Sequence, residues 1–134
     1  APMATARDYH AVAMLDGKLY AVGGLNDDDE DGTLSSVERY DPGTDAWEAV
    51  APMATARETH GVAMLDGKLY AVGGYDGGNL SSVELYDPAA DAWEEVAPML
   101  DGKLYAVGGY NDDGGTLSSV ERYERQRGSL TPWR

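Results

Sequence analysis

Cysteine is absent from the 134 residues, and that absence removes a disulfide framework, a thiolate nucleophile and any cysteine-ligated metal together. Positive charge is scarce: 10 Lys and Arg stand against 24 Asp and Glu, for a net charge of −14. Nucleic acid and anionic membrane surfaces need clustered Lys and Arg to neutralise phosphate, so both are disfavoured as partners. A charged partner should be basic; otherwise the acid serves only to keep the chain soluble. No apolar run approaches bilayer-spanning length. Histidine is limited to His10 and His60, and neither a Gly-rich phosphate loop nor G-x-S-x-G appears, so the chain does not read as an enzyme. It opens Ala1-Pro2-Met3 without a charged-then-apolar leader. The same triplet recurs at Ala51–Met53, so the opening reads as a cut inside a longer array, with the cytoplasm as the default compartment.

What the chain does have is repetition. LDGKLYAVGG stands at Leu15–Gly24, Leu65–Gly74 and Leu100–Gly109 without a change of letter. Each copy reads as a hairpin: His10–Leu15 and Lys18–Gly23 flank Asp16-Gly17, a pair suited to a type I′ turn because both residues must take positive φ. Ala11–Leu15 is apolar without alternation, which predicts a strand covered on both faces. Leu34–Tyr40 is a third strand, Asp41-Pro42 a turn and Ala46–Val50 a fourth, outer strand. Four short antiparallel strands in about 50 residues is the blade unit of a propeller.

The paired glycines Gly23-Gly24, Gly73-Gly74 and Gly108-Gly109, the aromatic pairs Tyr40 with Trp47 and Tyr86 with Trp93, and the crossing arginines Arg7 and Arg57 resemble the kelch repeat family. The resemblance covers about 1–123 and implies an all-β, partial kelch β-propeller of four-stranded antiparallel blades. Blade 1 is 1–50, blade 2 is 51–96 and a partial blade 3 is 97–123. The glycine pairs, the two Tyr–Trp pairs and Tyr123 are then scaffold residues, with the large rings packing between blades.

The uneven spacing of the copies has two causes. The loop after Gly-Gly is nine residues in Leu25–Thr33 and five in Tyr75–Asn79. Repeat three also runs from Ala97-Pro98-Met99 directly into Leu100, omitting the eleven residues equivalent to Ala54–Met64. It therefore lacks its innermost strand, and it lacks the outermost because, where the earlier repeats give Asp-Pro and then Trp, the chain after Tyr123 reads "ERQRGSLTPWR", residues 124–134. That tail is expected to be poorly ordered. Two and a half blades are too few to close a ring alone, so exposed blade edges favour a fragment of a longer protein or a homo-oligomer.

The family resemblance implies a protein–protein interaction module, of scaffold or substrate-recognition type as in adaptors, binding through blade-end loops. In kelch domains that capture acidic peptides, the residue after Gly-Gly and the one two beyond the crossing Arg are often basic. Here they are Leu25, Tyr75 and Tyr110, and Tyr9 and Thr59, followed by Asp76 and Asn111 in the loops. The expected partner is a neutral to basic protein or peptide, with tyrosines as anchors. The alternative is a fragment of a propeller-type carbohydrate-active enzyme, isomerase or oxidase-like, with its active site in other blades.

The sequence holds two further patterns. Asp27, Asp29, Asp31, Gly32 and Glu38 fit the EF-hand calcium pattern, but the loop joins two strands rather than two helices, so a solvated acidic loop competes with a calcium site. No other cofactor is implied. His10 and His60 hold equivalent positions and read either as two ligands of a metal in a shared channel or as interior residues.

Overall fold

The computed structural model describes residues 1–28, 32–96, 103–110, 116–124 and 129–132, the last three stretches as backbone strands. The chain divides into two compact units, Ala1–Glu95 and Val96–Arg134.

The first unit holds two four-stranded antiparallel meanders. One is formed by β1 (Ala11–Leu15), β2 (Lys18–Val22), β3 (Val37–Asp41) and β4 (Ala46–Val50), and the other by β5 (Gly61–Leu65), β6 (Lys68–Val72), β7 (Val83–Asp87) and β8 (Ala92–Val96). The innermost hairpins close as their sequence dictates: Asp16 and Gly17 sit at φ 51° and 74°, Asp66 and Gly67 at 51° and 72°. Those left-handed pairs match the twist of the flanking strands, as a type I′ turn requires. At the third turn Asp41 caps itself, accepting from the Gly43 N–H at 2.8 Å, and Asp87 accepts likewise from Ala89 at 3.0 Å. Asp side chains substitute here for a backbone acceptor.

Cross-strand partners share a face, so register decides which residues meet the neighbouring sheet. Ala13 pairs with Tyr20, and Val22 pairs with both Ala11 and Val37. That face of the first sheet supplies Leu15, Tyr20, Val22 and Val37 to the core. The opposing face of the second supplies Leu69, Ala71 and Tyr86, and Met53 fills the seam from the connecting segment. The Tyr20 and Tyr86 rings lie 5.7 Å apart, tilted by 59°, the inclined geometry that aromatic quadrupoles favour.

The expectation that β1 is covered on both faces does not hold. Val12 and Met14 are 54% and 67% exposed, whereas Leu15 is 2% exposed. The strand alternates because only one side of the first sheet meets the second. The apolar composition of β1 records a covering that this pair of sheets does not supply to Val12 and Met14.

The second unit is a three-stranded sheet in the order β11-β10-β9, with β9 at Lys103–Tyr110, β10 at Thr116–Glu124 and β11 at Ser129–Pro132. β9 begins with the sequence of β2, and β10 contains the Val-Glu-Arg-Tyr of β3. β11 pairs Ser129 with Glu124 and Pro132 with Glu121. Part of the tail expected to be poorly ordered is thus a strand, in the position of the missing outer one. The edge of β10 demands backbone partners. Leu130-Thr131 is strand-compatible, and Pro132, lacking an N–H, suits the end of an edge strand.

Candidate functional site at the loop end of two blades

The site begins with a buried charge. Arg57 lies in the segment that crosses from the first sheet to the second and is fully buried. Its guanidinium donates to the Gly73 and Ser82 carbonyls at 2.9 and 3.0 Å, to Ser82 Oγ at 2.9 Å and to Glu84 at 2.9 Å. Glu84 also accepts the N–H groups of Ala54 and Thr55 at 2.6 and 3.2 Å. Arg7 repeats the arrangement with Gly23, Ser36 and Glu38, the ion pair closing at 2.7 Å. Burial would raise the Glu38 pKa, but the Arg7 hydrogen bond and the N–H groups of Ala4 and Thr5 outweigh it and hold the carboxyl below its ordinary value. A carboxylate accepting several charge-assisted bonds stays ionised in this way.

The clamp fixes the crossing segment against the paired glycines. A Cβ on Gly23 would lie 2.4 Å from the Arg57 carbonyl oxygen, and one on Gly24 2.5 Å from that of Asp8. On Gly74 it would lie 2.6 Å from the Glu58 oxygen. The glycines are therefore set by backbone passing at contact distance, and Gly24 N–H donates to the Arg57 carbonyl at 2.7 Å. Beyond this contact, Asp8 and Leu25 exchange two backbone hydrogen bonds at 2.8 and 2.7 Å, as Glu58 and Tyr75 do at 3.1 and 3.0 Å. Thr59 N–H donates to the Tyr9 carbonyl at 2.8 Å, which joins the two blades at this end.

Four sequence-predicted residues, Tyr9, Leu25, Thr59 and Tyr75, thus come together on one hydrogen-bonded ridge. Tyr9 is 63% and Tyr75 42% exposed, while Leu25 is half-buried. Tyr9 and Thr59 adopt φ of 50° and 49°. For a β-branched threonine this conformation is strained by about 1–3 kcal/mol. Asp76 is exposed beside Tyr75. Tyr110 ends β9 in the other unit, and Asn111 lies outside the described residues. The charge at the ridge is acidic, from Asp8, Glu58 and Asp76, because the guanidinium groups of Arg7 and Arg57 point inward to Glu38 and Glu84.

The scaffold aromatics sit as pairs, half in and half out. Trp93 packs on Tyr86 with ring centroids 5.2 Å apart and planes tilted by 40°, and donates its indole N–H to the Ala51 carbonyl at 2.8 Å. Trp47 does the same with Tyr40 at 5.3 Å and the Ala1 carbonyl at 3.0 Å. Tyr86 is buried between the sheets, and burial together with its bond to Asp91 raises its pKa. Tyr123 lies in β10 opposite Leu104, and Gly108-Gly109 lie in β9.

The calcium reading loses a member. Glu38 is 4% exposed and committed to Arg7 and two N–H groups, so it does not join Asp27 in the loop. Its side chain points where the β3 pleat sends it, into the clamp. Asp29 and Asp31 lie outside the described residues, and among the described residues no group of three or more metal-ligating side chains converges. Both ring nitrogens of His60, and Nδ1 of His10, are buried without a partner. Burial above all, then the nearby Arg57 and His10, lowers the His60 pKa to about 4. The Glu38 and Glu84 roles were missed in the sequence. The signal was there: SSVE recurs just after the variable loop in both repeats, each time downstream of a crossing arginine.

Two meanders joined by a buried crossing clamp, with their variable loops gathered at one end, define a propeller-blade repeat protein. The Kelch motif family model matches residues 6–54, 56–100 and 100–128, and the chain belongs to that family. Over 51 residues it is 47% identical to Kelch-like protein 41a of Danio rerio, a match spanning 38% of this chain and 8% of that protein. The solved structure of YjhT superposes with a TM-score of 0.77 at 17% identity, covering 96% of this chain and 52% of that one, a likeness of fold. The chain thus spans about half the length of that structure and a small part of the curated relative. Among the described residues no helix is long and apolar enough to cross a membrane.

Proposed function

We propose that this kelch module is a protein-binding scaffold, of substrate-recognition or adaptor type, that takes a neutral to basic peptide segment along the Tyr9–Leu25–Thr59–Tyr75 ridge. The observation that carries this reading is two exposed tyrosines on one backbone-bonded ridge, with acid around them and both nearby guanidinium groups withdrawn into buried ion pairs. Tyrosine gives a large, rigid contact area and a face for a cation, so a Lys or Arg side chain fits between ring and carboxylate. Asp76, Tyr110 and Asn111 extend the same reading to the variable loops. The cytoplasm is the compartment assumed.

The test is a peptide panel in three charge classes against the immobilised chain. Retention of basic and neutral peptides, reduced about tenfold or more by Tyr9→Ala and Tyr75→Ala with unchanged melting temperature, supports the reading. Retention of acidic peptides alone, or indifference to both substitutions, overturns it.

A further inference from the structure

Among the described residues, two sheets carry a strand on the inner side of the Lys-Leu-Tyr-Ala-Val segment, and the third does not. β1 pairs with β2 from Ala11↔Val22 to Leu15↔Lys18, and β5 pairs with β6 from Gly61↔Val72 to Leu65↔Lys68. β9 begins with the same five residues, yet among the described residues it ends its sheet, with β10 as its one partner strand. The corresponding edge of β9 therefore offers a row of backbone donors and acceptors. Proline is absent from the strand, and Lys103 is its one charged residue, so it carries none of the features that discourage pairing.

The missing partner has a definite chemistry. In both complete repeats the strand is preceded by the crossing arginine: Arg7–Leu15 reads RDYHAVAML and Arg57–Leu65 reads RETHGVAML. In each, that arginine pairs with the glutamate of SSVE, Glu38 or Glu84. The third repeat keeps SSVE, ending at Glu121, but has lost the arginine along with the strand. Backbone edge and glutamate thus call for the same absent segment.

We infer that the free edge of β9 is an acceptor for an extended segment of another polypeptide, consisting of an arginine, three residues and a short uncharged aliphatic strand. The register follows from the other two sheets, with the donor equivalents of Gly61 and Leu65 facing Val107 and Lys103. Main-chain hydrogen bonds supply affinity, and the arginine selects the segment through Glu121.

The probe is a labelled peptide of residues 56–66, ARETHGVAMLD, titrated into the full chain. The expected result is saturable binding of one peptide per chain, with amide exchange slowed within 104–107. Replacing Val62 of the peptide by proline, or Arg57 by glutamine, should weaken it about tenfold or more. Glu121→Gln in the chain should weaken the parent peptide and leave the glutamine peptide little changed. Equal binding of a scrambled peptide, no binding, or slowed exchange only elsewhere overturns the inference. So does a chain that is already dimeric with its β9 amides protected, since the edge then belongs to a second copy.

Discussion

Arg57 is held to Glu84 through two guanidinium nitrogens, Nε at 3.2 Å and Nη2 at 2.9 Å, with both side chains shielded from water. The same arginine reaches two carbonyls and a hydroxyl of the next sheet. One side chain thus pins the crossing segment, the end of β6 and the start of β7 together.

Removing one partner of this pair leaves the other charged and buried. Arg57→Ala and Glu84→Gln should each lower unfolding stability by about 3–5 kcal/mol, measured as a shift in urea midpoint. The double variant Arg57→Leu with Glu84→Leu should lose much less than the sum, because no charge remains uncompensated. Additive losses would argue against the clamp.

The glycines should divide into two groups. Gly24→Ala and Gly74→Ala place a Cβ within 2.6 Å of a backbone oxygen at φ of 104° and 96° and should destabilise by several kcal/mol, roughly 3 or more. Gly78→Ala meets nothing within 4 Å and should stay within about 0.5 kcal/mol of the parent. Thermal melts of the three variants side by side decide the point.

Trp93 packs against the inter-sheet core, whereas Trp47 holds the equivalent place on the first sheet's other face, under the Ala1 carbonyl. Trp93→Ala should therefore cost about 3–5 kcal/mol and Trp47→Ala clearly less. Equal losses would place the core elsewhere.

His60 titrates near 6.5 when free and at about 4 in the fold. Its charged form is disfavoured by the folded state, so stability is undiminished above pH 6.5 and falls as the pH drops from there toward 4. Relative to His60→Gln, the parent should lose about 2 kcal/mol between pH 7.5 and pH 5. The carboxylates held low, Glu38 and Asp91 among them, weaken the fold only at still lower pH and in both proteins alike. A pH-independent difference between the two would remove His60 as the cause.

The hairpins, the blade order and the glycine pairs were legible because each is dictated locally, by turn φ or by identical letters in the same order within each copy. The ridge of Tyr9, Leu25, Thr59 and Tyr75 was legible through family spacing. The inward turn of Glu38 was not legible in the calcium-like spacing, because the β3 register sets its direction, and register is a property of the sheet. The exposure of Val12 and Met14 was hidden for the converse reason: composition tells what a strand can bury against, while the number of neighbouring sheets decides what it does bury. The short β11 was missed because its pairing is imposed by the edge of β10 rather than by a periodic pattern of its own.

The two complete blades are close to being copies, down to the register of their hairpins and the geometry of their arginine clamps. A sheet that has released its partner therefore fits the equivalent sheet of a different molecule about as well as its own. Renaturation is consequently a contest between intramolecular closure and exchange, and the yield of monomer depends on dilution.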